Sequence, residues 1–257
     1  MVSDLTENIL PPDLLERLQS SDPDRVRAAM LADVDAKERL LVLYAFHAEL
    51  AKVPELVSEP MIGAIRYQWW RDAVGEIYEG GPVRSHEVAT PLTQLLRESD
   101  IPRFWIDKLI DGRERDLDPT PFANLDDAIS YCDDTSGRLL MIAARLCQPS
   151  LKDAEALSCL GRAWGLTGLA RAWRFYHGSM LSELSFSDIL DAAEETCAKA
   201  PVRVDAELFP ATGYASLIRG YLSRLRKLSD PVQDHVSYGP FRKQLRMTLS
   251  AMSGKVR

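Results

Sequence analysis

Apolar residues recur every three or four positions along most of this 257-residue chain, and glycine and proline stand mostly between the periodic segments. This spacing places apolar side chains on one face of a helix, whereas a half-buried strand requires strict alternation. We find no convincing strand pattern, no internal repeat and no low-complexity tract. The sequence therefore predicts an all-α fold.

Helix boundaries follow from caps, prolines and glycines. Asp35 precedes a periodic segment that Pro54 should end. Ser58 is a candidate N-cap with Pro60 in the first turn of the next helix, and Asn124 is a second candidate cap. We predict nine or ten helices, including segments at about 36–53, 58–79, 87–97, 102–115, 124–147, 153–176, 213–228 and 240–252.

Two segments of this predicted bundle have unusual composition. The stretch 192–212 contains Pro201 and Pro210, and we expect it to be the most loop-like part of the chain. The long segment 153–176 is rich in small residues such as Gly161, Gly165 and Gly168. Glycine lowers helix propensity, so we expect close packing to hold this helix. No shift in composition divides the chain, which predicts one domain over 1–257.

The helix that follows Pro60 contains an apolar stripe and a tryptophan pair. The predicted stripe consists of Ile62, Ile65, Trp69, Ala73 and Ile77. Adjacent side chains on a helix point about 100° apart, so Trp69 and Trp70 cannot share one environment. We expect Trp69 to pack in the core, while both the core and a groove stay open as places for Trp70.

Signals for secretion and membrane insertion are missing from the sequence. Residues 1–10 carry acidic side chains and no apolar run, unlike a secretory signal. The longest apolar run, 40–46, is far shorter than the roughly 20 residues of a membrane span. The cysteines form no CxxC pair, so we expect buried free thiols in a reducing cytoplasm. They are Cys132, Cys147, Cys159 and Cys197.

Charge is unevenly distributed along the chain. Residues 213–257 hold nine Lys and Arg against two Asp and Glu, a balance of +7, and the whole chain carries −7, so the remainder carries −14. A basic segment on an acidic protein can meet an acidic partner or an anionic membrane. Within it, 213–228 separates apolar from basic residues. One interpretation is an interfacial helix, and the other is a packed helix with a solvated basic face.

Generic catalytic and nucleotide-binding motifs are also missing. The sequence has no GxSxG, Walker or GxGxxG motif, and its one GxxxG, at 161–165, lies within a predicted helix. None of the four histidines has a second metal ligand at a useful spacing. We therefore expect neither nucleophilic catalysis nor a nucleotide site, and no nucleic acid partner.

Three segments carry more information: LYAFHAELA at 43–51, IRYQWWRDA at 65–73 and LGRAWGLTGLAR at 160–171. Together, in this order, and with Tyr131-Cys132 and Ser136-Gly137 between the second and third, they resemble the squalene/phytoene synthase family. The resemblance is closest over about 36–178. It implies a single-domain helical bundle of the isoprenoid (terpenoid) synthase type with a central cavity.

The resemblance also implies two aspartate-rich helical motifs that hold Mg²⁺ and the diphosphate of prenyl substrates. In this chain the first motif falls on Ala51, Lys52 and Glu55, and the second on Ala172 and Tyr176. Residues 156–182 contain three Arg and no Asp or Glu. A cation in place of a carboxylate turns attraction for Mg²⁺ into repulsion, roughly 4 kcal/mol per unit-charge pair at 4 Å. We therefore expect no metal cofactor and assign no catalytic residue.

The stretch from 47 to 60, with ELA at 49–51 and VSE at 57–59, resembles one group within this family. That group includes the mitochondrial assembly factor for respiratory complex I and its bacterial relatives. The resemblance implies assembly or interaction with a protein partner, near the inner face of a respiratory membrane, without prenyl transfer. The alternative is a divergent prenyl-diphosphate transferase that takes its Mg²⁺ ligands from elsewhere. Candidate ligands in that case are Glu49, Glu55, Asp72 and Glu76.

A third hypothesis is a lipid-binding carrier that keeps the cavity and loses the chemistry. Cations that line the cavity would hold an anionic lipid or a prenyl phosphate without a metal. The candidate binding residues are Tyr44, Lys52, Arg66, Arg71, Arg171 and Arg174.

Overall fold

Residues 10–256 are described by a computed structural model, and within them helices follow one another without a strand. The α-helices are α1 Pro12–Ser21, α2 Pro23–Ala29, α3 Val34–Ala51, α4 Val53–Leu56, α5 Pro60–Tyr78, α6 Ala89–Glu98, α7 Arg103–Glu114, α8 Leu125–Cys132, α9 Arg138–Cys147, α10 Ser158–Arg171, α11 Trp173–Tyr176, α12 Phe186–Lys199, α13 Phe209–Thr212, α14 Ile218–Leu225 and α15 Pro240–Ser253. The prediction of an all-α fold is confirmed. The expectation for residues 1–10 concerns positions that, apart from Leu10, lie outside the described residues.

None of the helices between residues 10 and 256 has the length and apolar character that crossing a membrane requires. The cysteines within the same residues form no disulfide, as expected. The prediction that the thiols are buried is confirmed for Cys132 and Cys197 and is wrong for Cys147 and Cys159, which are half-buried.

Helix α3 lies at the centre of the bundle, in contact with α1, α2, α6, α7 and α9. The Asp33 carboxylate caps it by accepting the N–H of Ala36 at 2.8 Å, so the helix begins at Val34, two residues before the predicted start at 36. Nearly every side chain from 40 to 50 is buried, because neighbours cover the helix on all sides. The helix ends at Ala51. Pro54 then lies in the first turn of α4, where the N–H that proline lacks is not needed.

The buried face of α5 differs from the predicted stripe. Of the predicted members, Ala73 and Ile77 are buried, Trp69 is half-buried, and Ile62 and Ile65 are exposed. The Tyr67 hydroxyl fixes the orientation, because it donates to the carbonyl oxygens of Leu50 and Arg113 at 2.9 and 2.8 Å. Trp70 rather than Trp69 is the buried tryptophan, so that prediction is wrong.

The N-terminal end of α5 also differs from the sequence prediction. The helix begins at Pro60, and Glu59, which precedes it, makes no side-chain cap. The prediction that Ser58 caps this helix is therefore wrong, whereas proline in the first turn is confirmed. By contrast, Asn124 caps α8 as predicted, because its side-chain oxygen accepts the N–H of Asp127 at 3.0 Å.

Helix α10 packs closely against the π-turn Asp133–Gly137 that joins α8 to α9. A Cβ atom on Gly161 would lie 2.5 Å from the carbonyl oxygen of Ser136. One on Gly165 would lie 3.0 Å from Sγ of Cys132, whereas Gly168 has open space beside it. The expected close packing is confirmed at Gly161 and Gly165, and it brings α10 against the centre of the bundle.

The segment predicted to be loop-like is mostly helical, so that prediction is wrong. Ser185 caps α12 by accepting the N–H of Asp188 at 3.0 Å, and α12 packs extensively against α10. Pro201 follows the end of α12, and Pro210 lies in the first turn of α13. Both prolines therefore stand at helix ends, where they are tolerated, rather than inside a helix.

The apolar side of 213–228 faces the protein interior. Its members Tyr214, Leu217, Ile218, Tyr221, Leu222 and Leu225 are all buried. The packed-helix interpretation is confirmed, and the interfacial interpretation is wrong for this segment.

Candidate functional site

The first motif position lies at the C-terminal end of α3. Ala51 is the last residue of that helix, and His47, one turn earlier, is buried. Lys52 turns towards Glu49 and forms an ion pair with it, while Glu55 is exposed on α4. The helix is interrupted at Lys52, so Ala51 and Glu55 belong to different helices.

The second motif position lies where α10 gives way to α11. Ala172 occupies the break between the two helices, and Tyr176 at the end of α11 is 41% exposed. Burial raises the pKa of Tyr176; Asp116 and Glu55 act in the same direction and Arg113 acts against them. Glu55 and Tyr176 therefore lie within electrostatic range of each other, and the ends of both motifs border one region.

Arg113, from α7, occupies the interior side of that region. Its guanidinium contacts Nε2 of His47 at 2.8 Å and donates to the Tyr131 hydroxyl at 2.9 Å and to the Asp116 carboxylate at 3.2 Å. The Tyr131 hydroxyl in turn donates to Asp116 at 2.7 Å. These contacts engage all three nitrogens of the guanidinium, since Nε also faces His47 at 3.2 Å.

The protonation states in this cluster follow from burial and from neighbouring charges. Burial alone would lower the pKa of Arg113, but Tyr131 and Asp116 outweigh it and hold that pKa above its ordinary value. Burial, with Arg113 and Arg25, holds the pKa of His47 well below its ordinary value. His47 is therefore neutral, and Nε2 accepts from the permanently charged guanidinium.

A second buried guanidinium, Arg25 of α2, approaches the same interior. It pairs with Asp22 at 2.6 Å, lies 3.5 Å from the Ser136 hydroxyl, and stacks 5.1 Å above the centre of the Tyr214 ring. Burial opposes its charge, but Asp22 and Tyr214 together outweigh burial and raise the pKa of Arg25. Within residues 10–256, Nε of Arg25 and the hydroxyls of Tyr44 and Tyr214 are buried without a hydrogen-bond partner. The interior thus holds two guanidinium groups, each paired with a carboxylate, and some of its polar atoms lack a partner.

Sequence reasoning missed Arg25, His47 and Arg113. Arg113 stands in the run DGRERD at 111–116, a pattern typical of a solvated surface, and Arg25 stands in the equally charged DPDRVR at 22–27. The partners of Arg113 and Arg25 are up to 66 and 111 residues away. The single available signal was His47 beside the motif position at Ala51.

The cations predicted to line the cavity do not meet in one place. Arg71 pairs with Asp111 at 2.8 Å and with Glu114 on the outer side of α5 and α7. Arg171 stacks 4.3 Å above the centre of the Tyr221 ring, and Arg174 contacts His235. Lys52 and Arg66 instead share a separate pocket near the tryptophan pair, and Tyr44 is buried in the core.

That pocket has a volume of about 330 Å³ and opens between α3, α4 and α5. Its wall combines aromatic and aliphatic side chains with charges at the edge. The lining residues are Glu49, Lys52, Val53, Leu56, Ile65, Arg66, Trp69, Trp70 and His86. Arg66 is exposed and makes no hydrogen bond or ion pair with any residue from 10 to 256. An unpaired guanidinium beside an apolar wall suits an amphipathic anion.

The residues at the family's metal positions do not fit Mg²⁺, which prefers several oxygen ligands. They are alanine at two positions, lysine and tyrosine at one each, and the exposed Glu55. Across residues 10–256, no three His, Cys, Asp or Glu side chains are grouped to hold a metal ion. The guanidinium groups of Arg113 and Arg25 lie on the interior side of this region.

The carboxylates proposed as substitute ligands are dispersed. Glu49 pairs with Lys52 at the tryptophan pocket. Asp72 and Glu76 line a different pocket on the outer side of α5, where Glu76 receives two hydrogen bonds from Arg84 at 2.7 Å each. These groups therefore do not converge on one cation.

Comparisons with known proteins identify the family of this chain. Residues 18–175 match the profile of the family described as Squalene/phytoene synthase. Cattle and human proteins named NADH dehydrogenase (ubiquinone) complex I, assembly factor 6 are 32% and 31% identical over 168 residues, 64% of this chain and 49% of each relative. A Dictyostelium discoideum homologue of that factor is 26% identical over 179 residues, 68% of this chain and 50% of its own. The chain thus spans about half the length of these curated relatives.

Solved structures show the same fold at low sequence identity. A dehydrosqualene synthase in complex with a ligand aligns over 96% of this chain and 95% of its own, with a TM-score of 0.74 and 15% identity. A squalene synthase from Alicyclobacillus acidocaldarius aligns over 85% of this chain and 96% of its own, with a TM-score of 0.65 and 13% identity. These alignments confirm the predicted isoprenoid-synthase fold.

Proposed function

Because the chain belongs to the squalene/phytoene synthase family, we propose that it is a member without prenyltransferase activity that acts in the assembly of respiratory complex I. The observation that carries the first half of this proposal is the Arg113–His47 contact, one helical turn from Ala51. It puts a permanent positive charge beside the position where the family would hold a cation.

The energetic consequence follows from Coulomb's law. A divalent cation brought to about 4 Å from one guanidinium meets a repulsion of roughly 8 kcal/mol at an effective dielectric near 20, because each unit-charge pair contributes about 4 kcal/mol. The Asp116 carboxylate, which accepts from Arg113 and Tyr131, offsets part of this repulsion, but it is a single ligand and Mg²⁺ prefers several. No set of ligands in this region supports the ionisation of a diphosphate by bound Mg²⁺.

The second half of the proposal rests on the relatives. Proteins from cattle, human, mouse, rat and Dictyostelium that match this chain carry the name of a complex I assembly factor or its homologue. By this analogy, the partner is a protein subunit or an assembly intermediate of complex I. The protein then acts at the inner face of the membrane that holds the complex, and it contacts this membrane peripherally.

Deleting the gene in the source organism tests the assembly role. We expect the amount of assembled complex I on native gels, and NADH:ubiquinone activity, to fall, and the wild-type chain to restore both. Glu55→Gln should restore them equally, because the role does not use this carboxylate. Unchanged complex I after deletion would contradict the assembly role.

A second candidate function, binding of a lipid or prenyl phosphate, is favoured by the pocket at Trp69 and Trp70. Titration with farnesyl phosphate, followed by tryptophan fluorescence, tests it without added metal. We expect saturable quenching that weakens about tenfold in Arg66→Gln, since a charge-assisted hydrogen bond contributes about 1.5–3 kcal/mol. Arg97→Gln is a suitable control, because Arg97 donates to the Gly81 carbonyl away from this pocket. Equal quenching in both variants would contradict this candidate.

A further inference from the structure

Helix α15 presents an apolar face to solvent. Its inner side is anchored in the protein, where Met247 and Ser250 are buried. The exposed apolar residues, which we call the α15 stripe, are Phe241, Leu245, Leu249 and Met252. At about 100° per residue they fall within about 80° of one another, on the side of the helix opposite Met247 and Ser250. Phe241 and Met252, at the two ends, are 79% and 81% exposed.

The charged residues of α15 itself are all of one sign. Residues 239–256 contain four Lys or Arg and no Asp or Glu, on a chain of net charge −7. Lys243 is turned inwards onto Asp24, whereas Arg242 is exposed with no ion-pair partner among residues 10–256. Arg246 is also exposed and uses Nε to donate to the Ser216 carbonyl at 3.2 Å. Arg242 and Arg246 follow the stripe along one flank of the helix.

The ends of α15 are fastened to the rest of the protein. Both carboxylate oxygens of Asp24 lie 3.0 Å from Nζ of Lys243. After the helix, the N–H of Val204 donates to the Gly254 carbonyl at 3.0 Å, and the N–H of Val256 donates to the Val202 carbonyl at 3.0 Å. These contacts hold α15 in place with the stripe facing solvent. The stripe can therefore contact a flat surface without any unfolding of the protein.

We propose that α15 docks the protein onto an anionic lipid bilayer, with the stripe at the boundary between headgroups and acyl chains and Arg242 and Arg246 against the lipid phosphates. An exposed apolar face with a basic flank and no acidic residue is the composition of interfacial helices. A second copy of this face would bring like charges together, which disfavours a symmetric dimer through α15. This inference does not depend on whether the protein assembles complex I.

Flotation of the purified full-length chain with vesicles tests the proposal. Vesicles of equimolar phosphatidylcholine and phosphatidylglycerol should carry the protein upward, and vesicles of phosphatidylcholine alone should carry much less. Raising the salt concentration should weaken the binding to anionic vesicles, because it screens the attraction of the exposed arginines.

Variants separate the apolar and the electrostatic contributions. Phe241→Ser combined with Met252→Ser should lower the partition coefficient at least about tenfold, because it removes the two most exposed apolar side chains. Arg242→Gln should lower it about fivefold, which corresponds to about 1 kcal/mol for one cation near an anionic surface. Phe104→Ser, at an exposed phenylalanine of α7, is the matched control and should bind like the wild type.

Each variant is first checked for an unchanged circular dichroism spectrum and melting temperature. Wild-type protein that stays with neither vesicle, or a double variant that floats as well as the control, would overturn the proposal. Wild-type protein that dimerises in solution, and loses the dimer in the double variant, would overturn it too by assigning the stripe to a second copy.

Discussion

The guanidinium of Arg113 lies 2.8 Å from Nε2 of His47, and the two residues are 66 positions apart in the sequence. Because burial and the nearby guanidinium groups hold the pKa of His47 well below its ordinary value, the contact joins a cation to a neutral acceptor. A positive charge supplied by the protein is thereby fixed one turn from Ala51, where the family's chemistry would need a carboxylate.

Replacing Arg113 by methionine should lower the free energy of unfolding by about 1.5–3 kcal/mol, because it removes a charged hydrogen-bond partner from Asp116, whose side chain is only 16% exposed. Arg71→Met is the matched control, since Arg71 pairs with Asp111 and Glu114 at the surface, and it should cost about 1 kcal/mol or less. Urea denaturation measures both. Combining Arg113→Met with Asp116→Asn should recover part of the loss. Equal costs at Arg113 and Arg71 would contradict the buried network.

The stability of the protein should depend on His47 below about pH 6.5. The folded-state pKa lies below the unfolded value of about 6.5, so the unfolded chain binds more protons between the two values. Stability is then lost as the pH falls, by up to about 1.4 kcal/mol per pH unit from this one group. His47→Gln keeps an acceptor for Arg113 but cannot titrate.

Unfolding free energies of the wild type and His47→Gln, measured from pH 8 down to pH 5, show this difference directly. The difference in unfolding free energy between the two proteins should be constant above about pH 7.5. Below about pH 6.5 the wild type should lose stability relative to the variant. A difference that is independent of pH would show that His47 is not buried in its neutral form.

Alanine substitutions at two glycines of α10 should have opposite effects on stability. Gly161→Ala should destabilise the protein by about 1–3 kcal/mol, because the new Cβ would meet the Ser136 carbonyl at 2.5 Å. Gly168→Ala should stabilise it by up to about 1 kcal/mol, because the space there is open and alanine favours the helix. Thermal melts of both variants test the prediction, and equal shifts would contradict the packing of α10 on the π-turn.

Sequence reasoning succeeded where local chemistry decides structure. The Asn124 cap is correct, and the last helix, predicted at 240–252, is Pro240–Ser253. The cap of α12 at Ser185 is also a local signal. The segment 192–212 was nevertheless predicted as a loop, because it contains Pro201 and Pro210. The orientation of α5 was not decided locally, because the Tyr67 hydroxyl bonds to carbonyls 17 and 46 residues away.

The candidate site was the least predictable part. The loss of the metal carboxylates was visible at Ala51 and Ala172, since these are identities at motif positions. The compensating charge was not visible, because Arg113 stands in a run of charges and is buried only once α7 packs against α3. Arg71 and Arg171 were predicted as binding residues because they lie in the segments that resemble the family. Arg71 instead pairs with Asp111, and Arg171 stacks on the Tyr221 ring.

The attachment of α15 depends on Lys243. Lys243→Met should lower the free energy of unfolding by about 1.5–3 kcal/mol, because it removes a charged hydrogen-bond partner from the buried Asp24. The neighbouring Arg242→Met, at an exposed position, should change it by less than about 0.5 kcal/mol. Hydrogen exchange should show faster exchange of α15 amides in Lys243→Met than in Arg242→Met. Identical exchange in the two variants would contradict the anchoring role.

Diphosphate release from farnesyl and geranylgeranyl diphosphates in the presence of Mg²⁺ is the most direct test that the protein lacks prenyl transfer. We expect release by the wild-type chain to be no faster than in a reaction without protein, because Arg113 and the residues at 51, 52, 172 and 176 provide no metal ligands. Release above that background, accompanied by a coupled prenyl product and lost in Glu55→Gln or Asp72→Asn, would contradict this expectation.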